Sequence, residues 1–136
     1  MTPVEMARIH AASFAVPRPW SASEIAEVMG SASSIVLTDS DGFLLGREVA
    51  GEAELLTLAV DPAARRLGTG ETLVRRFIAA AKVRGADSIF LEVARNNPAA
   101  TALYGKFGFI ERGCRRGYYL DASGGKTDAL ILVLQI

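Results

Sequence analysis

The segment LLTLAVDPAARRLGTGETLVRRFIAAAKVRGADSIFLEV, residues 55–93, decides the architecture. Its first apolar run, LLTLAV at 55–60, stops at Asp61-Pro62, because proline carries no N–H to continue a ladder. From Thr69 to Arg84 the apolar residues recur with a helical period, and Gly85 supplies the stop. SIFLEV at 88–93 is a second apolar run of strand length. Two strands joined by one crossover helix lie parallel in a sheet.

Upstream, SSIVLT at 33–38, GFLLGREV at 42–49 and EAELLTLAV at 52–60 are separated by turn signals at Asp41-Gly42 and Ala50-Gly51. They predict a three-stranded antiparallel meander ending in the first of the parallel strands. Before it, Thr2, Pro3 and Glu5 have the spacing of a capping box and predict a helix to near Phe14. Ser21 and Glu24 repeat that spacing ahead of a shorter helix stopped by Gly30. Downstream, Asn97-Pro98 starts a helix through Phe107, with Gly108 as terminator. FIERGCRR at 109–116, YYL at 118–120 and DALILVLQI at 128–136 then form an antiparallel pair across Ser123-Gly124-Gly125. The expected fold class is α/β: a mixed, mostly antiparallel sheet with a central parallel strand pair flanked by helices, in one domain spanning 1–136.

Composition narrows the function classes. Half of the 136 residues are apolar and 22% are charged, enough to bury a core. Fifteen basic residues balance fifteen acidic ones, so no global field favours nucleic acid, and an anion must be held locally. Cys114 is the single cysteine and cannot form an intramolecular disulfide. With no signal-peptide pattern and no apolar run of about 18 residues, the expectation is a soluble cytoplasmic protein with no membrane partner.

RRLGTG at 65–70 lies between a strand and a helix, where glycines turn main-chain N–H groups inward and the helix N-terminus adds partial positive charge. That arrangement suits a pyrophosphate. A Walker loop is excluded by the absence of GKS or GKT, and the third glycine of a dinucleotide fingerprint is missing. The same residues also read as a plain helix start capped by Thr69 with solvated arginines.

Arg65-x-x-Gly68-x-Gly70 resembles the coenzyme A signature of the GNAT acetyltransferases. LLTLAV with Asp61-Pro62, GADSIFLEV, and the helix from Pro98 carrying Leu103-Tyr104 and Gly108-Phe109 resemble further landmarks of that family, in its order. Pro19-Trp20-Ser21, LEV followed by Asn97, RRGYYL and TDALIL are similar to the RimI type, the ribosomal-protein-alanine N-acetyltransferases. Leu120 stands where RimI-type proteins often show proline.

The resemblance implies acetyl-CoA as cosubstrate and no metal. It places the pantetheine arm on the main chain of Leu58, Ala59 and Val60, and the phosphates on Arg66, Leu67, Gly68, Thr69, Gly70 and Glu71. Glu71 departs from the basic or neutral residue of many relatives. Asn97 is implied as a cofactor contact, and it also reads as an ordinary helix cap before Pro98. Tyr104 is implied to protonate the coenzyme sulfur and Glu92 to act as general base. A carboxylate in an apolar strand needs a wet cleft or a partner, although a solvated strand face is the other reading of Glu92. The implied reaction is direct transfer to the N-terminal α-amine of a protein, an N-terminal alanine of a small-subunit ribosomal protein, with Arg115, Arg116, Tyr118 and Tyr119 beside the acceptor. A small-molecule amine or a lysine side chain is the alternative acceptor, and a noncatalytic coenzyme A-binding or partner-binding module is the alternative class. His10, the one histidine, is expected to be structural or solvated on the first helix, away from every motif; Cys114 is expected to be a small buried side chain in a strand.

Overall fold

The computed structural model describes residues 1–13, 18–65, 67–120 and 123–136. Helices α1 (Pro3–Ser13) and α2 (Ala22–Met29) precede the meander β1 (Ser34–Thr38), β2 (Gly42–Val49) and β3 (Glu52–Val60). A 3-10 turn at Pro62–Ala64 leads to α3 (Thr69–Val83), β4 (Ser88–Ala94), α4 (Pro98–Lys106), β5 (Ile110–Leu120) and β6 (Lys126–Gln135). The six strands form one sheet in the order β1-β2-β3-β4-β6-β5, parallel only between β3 and β4. This is the expected mixed α/β sheet with its single crossover helix.

The caps follow the local chemistry. The Thr2 hydroxyl accepts from the Glu5 N–H at 3.1 Å. Ser21 and Glu24 form a complete reciprocal capping box on α2. The predicted end of the first helix at Phe14 lies outside the described residues. The 3-10 turn was not legible as structure: Asp61 accepts from the Ala63 N–H and Pro62 fixes the first dihedral, converting the expected short loop into one tight turn.

Each face of the sheet carries its own core. Leu73, Val74, Phe77 and Ala81 of α3 pack with Leu44, Leu55, Ile89 and Leu91 on one face. Met6 and Ile9 of α1 and Ile25 of α2 pack with Phe43, Leu45 and Ala59 on the other. Because both faces are buried, the central strands read as apolar runs rather than as alternating ones.

One irregularity shapes the centre. Leu45 pairs with Thr57 but Gly46 pairs with Leu55, so Leu56 is an extra residue on β3. A bulge of this kind bends its strand and reverses which residues face which side. Ala53 and Leu55 accordingly join the α3-side core, whereas Ala59 joins the α1-side core. The parallel pairing with β4 also ends there, at Leu55 opposite Leu91. Beyond it β3 and β4 part.

Gly46 sits at this bulge beneath Phe77. A Cβ there would enter the Phe77 ring and lie 2.8 Å from the Glu54 carbonyl oxygen. Gly46→Ala is expected to cost about 1–3 kcal/mol through overpacking, seen in urea unfolding as a lower midpoint with an unchanged slope.

The second irregularity is on β5, which forms one continuous strand where the sequence suggested two pieces. Its pairing with β6 shifts between Arg115 and Tyr119, and Gly117 in the middle takes φ 58°. The Gly117 N–H donates to Asp128 Oδ1 at 2.9 Å instead of to a strand partner. β5 is an edge strand exposed on both faces, and Cys114 is therefore exposed rather than buried as expected. No helix among the described residues is long and apolar enough to cross a membrane.

Candidate active site

Where β3 and β4 separate, a cleft of about 650 Å³ opens through the sheet, within the usual size range of small-molecule sites. Leu58, Ala59, Val60, Gly68, Thr69, Gly70, Glu71, Glu92, Asn97 and Tyr104 all line it. The structure thus gathers residues from five separate segments into one site. Of the other two residues implied for the cosubstrate, Leu67 is 74% exposed and is not part of the lining, and Arg66 lies outside the described residues.

The loop end of the cleft is made by main chain. Gly68 takes φ 81° and is the N-cap of α3, with no side-chain cap; Thr69, expected as the cap, is the first helical residue instead. The first intrahelical bond runs from the Thr72 N–H to the Gly68 carbonyl. The N–H groups of Thr69, Gly70 and Glu71 therefore have no acceptor within the helix, and they converge with the positive end of its dipole. Among the described residues, chain neighbours apart, no atom lies within 4 Å of a Cβ built on Gly68, so what the position asks of glycine there is its φ of 81°. Glu71 is turned to Lys106, whose Nζ is 3.7 Å from Glu71 Oε1. That pairing, together with the favourable place of a carboxylate at a helix start, accounts for an acidic residue at this position.

Along β3, the residues after the bulge have no partner on the β4 side, leaving main-chain groups for a ligand's amides. The Ser13 hydroxyl is 3.0 Å from the Val60 carbonyl and anchors the end of this edge to α1. On the other wall, the Asn97 side-chain oxygen caps α4 by accepting from the Ala100 N–H at 3.1 Å while the residue lines the cleft. The cap reading of Asn97 holds, and the same residue faces the cleft.

Tyr104 projects from α4, 6% exposed, with its ring 5.7 Å from that of Phe109 in an edge contact. Burial pushes its phenol well above the ordinary range, so it stays an O–H donor at any working pH.

Glu92 is positioned by β5. Tyr119 donates to its Oε1 at 2.6 Å, and Arg115 Nε lies 3.8 Å from Oε2. Burial and then the bond to Glu92 raise the Tyr119 phenol strongly. Tyr118 stacks edge-on against Tyr119 at 5.2 Å, and the Arg115 guanidinium lies 5.1 Å over the Tyr118 ring. The carboxylate that was costly in an apolar strand thus has a phenol partner, a nearby cation and a cleft to face.

Sequence reasoning missed His10, Thr57, Trp20 and Lys106, all of which line the same cleft. His10 is 1% exposed, not solvated. Its Nε2 lies 2.9 Å from Thr57 Oγ1, and its Nδ1 accepts from the Trp20 main-chain N–H at 3.1 Å. The signal that could have found it was the short distance in sequence to Pro19-Trp20; the reversal of β3 that brings Thr57 to it had no signature.

Burial lowers the His10 pKa to about 4, against a smaller opposing pull from Glu24. A histidine whose folded pKa is depressed stabilises the fold fully above its unfolded value of about 6.5 and less as pH falls towards the folded value. The lowered carboxylates act further down: Glu24, held by Arg18, moves from 4.5 to about 2, and Asp128 lies below 3.8. Urea-derived stability is therefore expected to be flat above pH 7 and to decline from pH 6.5 to 5 in the wild type, a decline absent from His10→Asn.

A sheet parted at a β-bulge, a glycine-capped helix and a cleft holding the Glu92 carboxylate and the buried Tyr104 phenol define an acyl-transfer architecture. Residues 4–109 match the acetyltransferase (GNAT) family, and the chain belongs to that family. It is 36% identical over 122 residues to the [ribosomal protein bS18]-alanine N-acetyltransferase of Escherichia coli K12, covering 87% of this chain and 82% of that protein. A putative [ribosomal protein bS18]-alanine N-acetyltransferase of Bacillus subtilis is 34% identical over 105 residues, covering 74% of this chain and 68% of that one. The crystal structure of the E. coli ribosomal-protein-S18-alanine N-acetyltransferase superposes with a TM-score of 0.85 at 33% identity, over 96% of this chain and 84% of that one.

Proposed function

We propose that the protein, as one domain over 1–136, transfers the acetyl group of acetyl-CoA to the N-terminal α-amine of a protein, with an N-terminal alanine of a small-subunit ribosomal protein as acceptor. The observation that carries this reading is the presence of Glu92 and Tyr104 in the one cleft that also holds the glycine-capped start of α3. Acetyl-CoA supplies an activated thioester. The free N–H groups of α3 and the main chain of Leu67 and Gly68 bind its phosphates, and the family resemblance adds Arg66 to that set. The open edge of β3 at Leu58, Ala59 and Val60 takes the amides of its arm, and Asn97 closes the opposite wall.

Glu92 accepts the ammonium proton of the incoming N-terminus, directly or through one water. An α-amine has a pKa of about 7.7–8.0 against about 10.4 for lysine, so this base has little work to do at an N-terminus and much more at a lysine. Tyr119 and Arg115 hold the carboxylate in place. The Tyr104 O–H serves the departing sulfur. The similarity of the chain to the bacterial bS18-alanine N-acetyltransferases supports the acceptor class. A noncatalytic module would have no use for a base and a donor kept in the same cleft.

The test is incubation with acetyl-CoA and one peptide bearing an N-terminal alanine and an internal lysine, followed by tandem mass spectrometry. Acetyl on the alanine nitrogen alone is expected. Acetyl on lysine, or transfer only to small amines, overturns the acceptor class; binding of the cosubstrate without any transfer overturns the enzymatic reading.

A further inference from the structure

His10 occupies a position where an imidazole is costly unless its nitrogens are bonded. A main-chain N–H can only donate, so the 3.1 Å contact from the Trp20 N–H requires an unprotonated Nδ1. The proton then sits on Nε2, and at 2.9 Å it is donated to Thr57 Oγ1. One neutral ring in one tautomer therefore ties together α1, the segment leading into α2, and β3 just past its bulge.

The location of this tie gives it a role. The cleft passes through the sheet. Gly68, Asn97, Tyr104 and Lys106 crowd the side built by α3 and α4, which the proposed function gives to the cosubstrate. His10, Trp20 and Thr57 line the side built by α1, where Ile9 beside His10 belongs to the core shared by α1 and α2. That side is left for the acceptor. The Trp20 ring lies 5.9 Å from the His10 ring, which in turn lies 6.4 Å from the fully buried Phe43. Trp20 is only partly buried, so its place depends on what holds it from behind.

We propose that His10 is a positioning residue for the acceptor: its neutral Nε2–H imidazole pins Trp20 and α1 to Thr57, and so fixes the wall against which the acceptor's first residue seats. This rests on the N-terminal acetyltransferase reading. Loss of the Trp20 bond leaves the wall free to shift without disturbing the loop or Tyr104 on the other side of the sheet. The effect therefore belongs in acceptor KM and not in kcat or in acetyl-CoA KM.

Two substitutions separate the two bonds. Asparagine places its side-chain oxygen near the position of Nδ1 and keeps an acceptor for the Trp20 N–H. Glutamine places its amide near Nε2 and keeps only the partner for Thr57. In the full chain, with the N-terminal alanine peptide, His10→Gln is expected to raise acceptor KM about tenfold, the size of one lost hydrogen bond. Its kcat and acetyl-CoA KM are expected to stay within about threefold of wild type, and His10→Asn is expected to restore acceptor KM to that range. Trp20 is the sole tryptophan, so acrylamide quenching of its fluorescence reads the wall without any substrate; the quenching constant should rise about twofold in His10→Gln and not in His10→Asn.

An unchanged acceptor KM with unchanged quenching in folded His10→Gln overturns the proposal, as does an equal rise in both KM values. If His10→Gln does not fold, His10→Leu, which also removes the acceptor for the Trp20 N–H, must produce the same acceptor-specific shift, and Thr57→Val, which like His10→Asn leaves that acceptor in place, must not. A wild-type protein that leaves the alanine peptide unmodified refutes the acceptor reading instead, and the quenching comparison then decides the role of His10 alone.

Discussion

Glu92→Gln is expected to lower kcat/KM for an N-terminal alanine peptide at pH 7 by roughly 10²–10⁴, the usual worth of a positioned general base. The substitution is mild in every other respect. A glutamine oxygen still accepts from Tyr119, which donates to Glu92 Oε1 at 2.6 Å, and the side chain is already partly solvated at 28% exposure. The Arg115 contact at 3.8 Å is at the exposed rim of the sheet, where ion pairs contribute little to stability. Folding should therefore survive, and acetyl-CoA binding should stay within about twofold, because the loop and the β3 edge make no use of this carboxylate. The pH dependence carries the sharper test. Below an α-amine pKa of about 8 most acceptor arrives as ammonium and needs the base; above it the acceptor arrives neutral. The deficit of Glu92→Gln should narrow steadily from pH 7 to 9. A deficit below about fivefold at pH 7, or one that does not change with pH, leaves Glu92 as a strand-end carboxylate with no part in proton transfer.

The sequence showed where the site lies more clearly than how it is shaped. The crossover unit 55–93, the glycine loop and the strand-to-helix step at Asn97-Pro98 were legible because each rests on local chemistry: a proline that ends a ladder, glycines with special φ, an asparagine cap. The β3 bulge was not legible. Leu55, Leu56 and Thr57 read as three more residues of one apolar run, and a run buried on both faces keeps no record of which side each residue takes. Yet that extra residue ends the pairing with β4, opens the cleft and turns Thr57 towards His10. His10 was accordingly expected to be remote from the site. Cys114 differs from expectation for another reason: a cysteine in a strand is usually a small buried side chain, but β5 lies at the sheet edge, and edge position is a property of the whole topology. Glu71 stood out in the sequence as a departure from many relatives; its place at a helix start is local chemistry, but the approach of Lys106 from the next helix is not legible there.

Tyr104→Phe is expected to lower kcat by roughly 10²-fold with acetyl-CoA KM within about threefold, and the size follows from what this phenol can and cannot do. Burial raises its pKa above the ordinary 10, whereas a thiol has a pKa near 8.5. Full transfer of the Tyr104 proton to the departing sulfur is thus uphill by more than about 1.5 units, or more than about 2 kcal/mol. A hydrogen bond that strengthens as charge develops on sulfur avoids that cost, and removing one such preorganised donor is worth about 2.7–4 kcal/mol in barrier height. The structural change is small, since phenylalanine retains the edge contact with Phe109 now at 5.7 Å and the volume is nearly conserved. Two readouts follow. The deficit should be constant from pH 6 to 9, because a phenol with a raised pKa remains O–H throughout that range; this contrasts with the pH-dependent deficit of Glu92→Gln. It should also shrink when the acetyl donor is a thioester of a more acidic thiol, whose departing sulfur needs less help. An undiminished deficit with such a donor means that Tyr104 acts on something other than the leaving group, and a kcat unchanged in Tyr104→Phe assigns the ring to packing alone.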